Sequence, residues 1–91
     1  MYLHLGQSVV TPHSDVIGIF DLDITSQSHI TRAFLARAEK SGQVVNVSEE
    51  LPKSFVLCQP PGRRARGGQR VYISQMSAAT LLRRAEGNSF E

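Results

Sequence analysis

Two short apolar runs, Phe55-Val56-Leu57-Cys58 and Val71-Tyr72-Ile73, stand on either side of a link that no regular element can cross. Both runs are rich in the aromatic and β-branched residues that strands favour. Between them, Pro60-Pro61 cannot continue a ladder, and Gly62, Gly67 and Gly68 supply the backbone freedom of a long turn. The pattern predicts a hairpin with an elaborate tip.

That tip reads Gly62-Arg63-Arg64-Ala65-Arg66-Gly67-Gly68-Gln69-Arg70, with four arginines among nine residues. Guanidinium groups in such a loop stay charged and can grip phosphate oxygens with two hydrogen bonds each. Between Pro52 and Glu86 the chain carries Lys53, Arg63, Arg64, Arg66, Arg70, Arg83 and Arg84 and not one carboxylate. Six of the eight acids fall in the first 50 residues, so the modest net charge of +2 hides a strong asymmetry. The link reads as a basic finger for a polyanion, and the competing reading is a hydrated loop that keeps the protein in solution. Arg83 and Arg84 have a simpler role at hand, because cations at the end of a helix complement its dipole.

The remaining punctuation predicts a small α+β domain. Tyr2 to Leu5 ends at Gly6 and Val9-Val10 resumes before Thr11-Pro12, which suggests a short hairpin or a bent strand. Val16-Ile17-Gly18-Ile19-Phe20 is apolar on both faces, the pattern of a central, buried strand, and Gly18 within it suggests a bulge or the close approach of another backbone. Ser26 or Ser28 can cap a helix in which Ile30, Ala33, Phe34 and Ala38 share a face, and Gly42 can end it. Val44 to Val47 is a further strand, Ser48 to Pro52 a polar turn, and Ser77 caps a last helix that stops near Gly87. The order β-β-β-α-β-β-β-α implies a single domain over residues 1–86, with a mostly antiparallel sheet covered by two helices. Residues 87–91 are expected to form a mobile tail.

With 91 residues, a single core only marginally offsets chain entropy, and association of copies would help. One cysteine, Cys58, rules out an internal disulfide framework and a cysteine-based zinc motif, and suits a reducing cytoplasm. No run approaches the roughly 20 apolar residues of a membrane span. His4, His13 and His29 have no metal-ligand spacing, and Asp21-Leu22-Asp23 offers paired carboxylates without a third ligand nearby, so a solvated strand end or a helix-entry turn is preferred to a metal site. Cys58 in an apolar strand reads as a small buried hydrophobe, and the glycines of the link lack the order of a nucleotide-binding loop. No enzyme, no cofactor and no small-molecule substrate is indicated.

Three strings together have a wider likeness: Tyr2-Leu3-His4-Leu5-Gly6, Asp15 through Asp21, and Val71 through Arg84, with Pro52-Lys53-Ser54-Phe55-Val56 a fourth. They resemble the RemB branch of the RemA/RemB family of bacterial extracellular-matrix regulators, over nearly the whole chain. The resemblance implies a cytoplasmic DNA-binding regulator of biofilm-matrix genes that assembles as a ring of identical subunits. Its partners would be double-stranded DNA and further copies of itself, with no membrane. The RemA branch is similar in its strands but carries DNA-contacting arginines where this chain has Asp15 and the Leu51-Pro52 pair. The resemblance therefore implies one of two things. Either the basic surface has moved to Lys53, Arg63, Arg64, Arg66 and Arg70, or the chain is an assembly module without DNA binding.

Overall fold

The structure is a computed structural model and describes residues 2–25, 28–59 and 69–87. The tip of the long hairpin and the end of the expected tail lie outside the described residues.

Strands β1 (Tyr2–Gly6) and β2 (Val9–Pro12) form an antiparallel hairpin, followed by a 3-10 turn at His13–Asp15. Strand β3 (Val16–Asp21) leads through the short helix α1 (Leu22–Thr25) to α2 (His29–Lys40). Strands β4 (Val44–Asn46), β5 (Ser54–Cys58) and β6 (Arg70–Ser74) then precede α3 (Ala78–Gly87). The four later strands form one sheet in the order β3-β5-β6-β4, with β4 parallel to β6 and the other pairs antiparallel. The predicted α+β class and element order hold, with α1 as an addition. Its origin is local: the Asp21 carboxylate accepts the Asp23 N–H at 2.8 Å and turns the end of β3 directly into a helix.

The sheet separates two apolar layers. On one face the β1–β2 hairpin and α3 cover Val56, Cys58 and Tyr72, with Leu3, Leu5 and Leu81 almost fully buried between them. On the other face α2 sets Ala38, Phe34 and Leu35 over Phe55 and Val71. Alternation along β5 and β6 delivers their residues to the two layers in turn. Ser54 and Ser74 face each other across β5 and β6 and are wholly buried. Their hydroxyls donate to the Met76 and Leu5 carbonyls at 2.7 and 2.6 Å, and so tie the sheet to the α3 approach and to β1.

The helix signals act as read. Ser28 accepts from the N–H groups of Ile30 and Thr31, Gly42 takes a φ of 73° just past α2, and Ser77 accepts from the Thr80 N–H.

Two expectations fail. The run Val16 to Phe20 is not central: β3 is an edge strand, and Ile17 is 55% exposed. The predicted irregularity is present, because the pairing slips between Val16 and Gly18 and leaves Ile17 as the extra residue. What closes on Gly18 is a ring and not another backbone, since a Cβ there would lie 2.8 Å from Phe20, which stacks on Phe55 with centroids 4.9 Å apart. The second failure concerns Ile30. It has the helical spacing of the apolar face but stands 81% exposed in the first turn of α2, and Ala33 is exposed as well, so contact with the sheet begins at Phe34.

Candidate nucleic-acid interface

The sheet has two chemically different ends. At one end lie the start of β3, the last residue of β5, the first residue of β6 and the turn from α2 into β4. Backbone and side-chain bonds hold them together: Gln59 N–H to the Asp15 carbonyl at 2.9 Å, Val71 N–H to the Gln43 carbonyl at 2.9 Å, and the His13 ring N–H to the Ala85 carbonyl at 2.9 Å. The C-terminal turns of both α2 and α3 therefore arrive where β5 leaves the sheet for the link and β6 returns from it. This end collects Arg37, Lys40, Arg70, Arg83 and Arg84 against the carboxylates of Asp15, Glu39 and Glu86.

At the opposite end, Leu22 N–H bonds to the Lys53 carbonyl at 3.0 Å, Lys53 N–H to the Ser74 carbonyl at 2.9 Å, and Val47 N–H to the Ile73 carbonyl at 2.9 Å. Asp21, Asp23, Glu49 and Glu50 lie at this end, together with Lys53 and, in the first turn of α2, Arg32. A wide cleft of about 750 Å³ at this end is lined by Gln7, Asn46, Val47, Ser48, Glu49 and Glu50, a carboxylate-bearing wall that repels phosphate.

The five residues singled out in the sequence fall as follows. Arg63, Arg64 and Arg66 lie outside the described residues, and the described residues on either side of them, Gln59 and Gln69, lie at the cation-rich end. Arg70 opens β6 at that end, half-buried, with its guanidinium donating to the Tyr72 hydroxyl at 3.4 Å. Lys53 is exposed at the other end. Arg70 pairs with Cys58, five residues along β5 from Lys53, so the two sit roughly 17 Å apart at about 3.4 Å per residue. The fold thus brings Arg70 and the roots of the link together and holds Lys53 away from them.

Arg37 and Lys40 were not singled out in the sequence. Their signal was the ordinary one of cations closing a helix, and the return of α2 to the start of β4 brings them to the end of the sheet where β5 and β6 meet the link. Arg84 is partly engaged, donating to the His4 carbonyl at 3.4 Å. Cys58 is buried, its Sγ 3.8 Å from the Thr11 hydroxyl, and burial pushes its thiol above the ordinary value. Among the described residues no three His, Cys, Asp or Glu side chains gather as a metal site, and no helix is long and apolar enough to cross a membrane.

The class defined so far is a small α+β domain with an excess of cations at one end of its sheet and of carboxylates at the other. No family model matches the chain. It is 34% identical over 86 residues to Extracellular matrix regulatory protein B of Bacillus subtilis (strain 168), an alignment that covers 94% of this chain and 91% of that protein. The chain belongs to the RemA/RemB family of extracellular-matrix regulators.

Proposed function

We propose that this chain is a non-enzymatic, cytoplasmic regulator of extracellular-matrix and biofilm genes. It works as a ring-like homo-oligomer and holds double-stranded DNA by its phosphates through Arg63, Arg64, Arg66 and Arg70, with Lys53 as an outlying contact. The observation that supports this reading is the sorting of charge. Both roots of the arginine link leave the sheet at the end where Arg37, Lys40, Arg70, Arg83 and Arg84 outnumber Asp15, Glu39 and Glu86, while at the far end four carboxylates outnumber Lys53 and Arg32. A duplex approaching the cationic end meets attraction from several elements at once and turns away from the acidic end. Contacts of this kind fix position without reading bases, so sequence preference comes mainly from DNA shape and bending. Symmetric repetition multiplies a few arginines into many phosphate contacts.

A second reading, an assembly module without DNA binding, draws support from the exposed apolar edge at β3. Titration with a random-sequence duplex at low and at moderate salt separates the two. Binding that weakens as salt rises is the expected result, because each neutralised phosphate releases counterion. No binding at either salt favours the assembly module and overturns the DNA reading.

A further inference from the structure

Strand β3 has the composition of an interior strand and the position of an edge strand. Val16, Ile17, Ile19 and Phe20 supply apolar side chains to both of its faces, yet among the described residues only β5 pairs with it, and Ile17 and Phe20 remain 55% and 36% exposed. An apolar edge of this kind is a template for a further strand unless something covers it. At the opposite edge of the same sheet, a groove of about 280 Å³ runs between α2 and β4. Leu35, Ala36, Val44 and Ile73 line it, with the exposed Arg32 and Glu39 completing its walls.

The two edges match in direction and in sidedness, and at the strand starts in charge. β3 is antiparallel to β5, β5 is antiparallel to β6, and β4 is parallel to β6, so β3 and β4 run the same way. A second copy that lays its β3 beside β4 therefore continues the sheet with another parallel pair. Residues opposite each other in a ladder share a face, and the chain of partners Phe20, Phe55, Ile73 puts Phe20 on the α2 side. In the extended sheet Phe20 of the incoming copy comes down beside the α2–β4 groove. In a parallel register the two strand starts lie together, which brings Asp15, just before β3, to Lys40, the last residue of α2 before the turn into β4.

We propose that β3 of one copy docks by its outer edge, with Ile17 and Phe20, into the α2–β4 groove of a second copy. Such a contact is heterologous: each subunit offers one edge and receives the other, so it propagates until the rotation closes. The inference deepens the proposed function by naming the subunit boundary. It rests on that reading only for self-association and not for DNA contact.

The test uses two variants of the full chain at exposed positions, Ile17→Arg, which spoils the inserting edge, and Ala36→Arg, which fills the groove. Size is measured by light scattering without DNA, and circular dichroism checks that each variant keeps its fold. The wild type is expected to exceed two copies and each variant alone to be a monomer. An equimolar mixture is expected to give a dimer and nothing larger, since one intact edge meets one intact groove while the two altered surfaces repel. Folded variants that keep the wild-type size, or a mixture that stays monomeric, overturn the proposed boundary while leaving the oligomer standing. A monomeric wild type overturns both. Duplex binding is scored separately, so its loss or retention bears on the DNA reading alone.

Discussion

Ser74 shows how much of this fold hangs on single polar atoms. Its hydroxyl donates to the Leu5 carbonyl and accepts the Met76 N–H at 3.0 Å, in a position with no access to water. Ser74→Ala leaves both backbone groups unmet and is expected to cost about 1–3 kcal/mol of unfolding free energy in a urea titration. An unchanged midpoint would show that the hairpin is held by its apolar contacts alone. Cys58 gives a pH-dependent counterpart. Burial raises its thiol pKa above the ordinary value of 9.0, so the folded state favours the neutral thiol. The sign follows: this contribution is complete below pH 9.0, and it is lost as pH climbs through the raised folded value, because the unfolded chain releases the proton first. Cys58→Ala is expected to flatten the alkaline fall in stability relative to the wild type, and parallel curves for the two proteins would refute that. The thiol's burial was legible from its apolar run. The serine hydroxyl bonds were not, because their acceptors lie 69 and 22 residues away in the chain for Ser74 and Ser54.

At the scale of elements, strands and helices were read from periodicity, and neighbours were not. The runs that became β5 and β6, the cap at Ser28 and the stop after Lys40 all follow from local chemistry. Whether a strand is central depends on how the chain returns to it, and α2 carries the chain from β3 across the sheet to β4 on the far edge. An all-apolar run therefore ended at a boundary, and Ile30 kept helical spacing without a surface to cover. Gly18 is the element's own marker. A methyl group there meets the Phe20 ring at 2.8 Å and drives it off Phe55. Gly18→Ala is expected to cost about 1–3 kcal/mol by urea unfolding. Most of that cost should vanish in a Phe20→Leu background, because the two positions share one contact. Equal costs in both backgrounds would place the strain in the bulged backbone instead.

For the whole molecule, the decisive property is the separation of charge along the sheet. Sequence order grouped Lys53 with the arginine link because both belong to an acid-free stretch. Folding pulls them to opposite ends of β5 and brings Arg37 and Lys40 to the link's roots instead, an exchange visible only once the strands are paired. Lys53→Ala is accordingly expected to change the slope of log affinity against log salt by no more than about one unit, as for a single phosphate. A larger change would move the centre of the interface to the acidic end.

The most direct test is that same slope, measured on a random duplex, for the wild type and for Arg63→Ala/Arg64→Ala/Arg66→Ala. If the arginine end of the sheet holds DNA by its phosphates, the triple variant flattens the slope by about three units per bound subunit. A slope identical to that of the wild type would contradict the account.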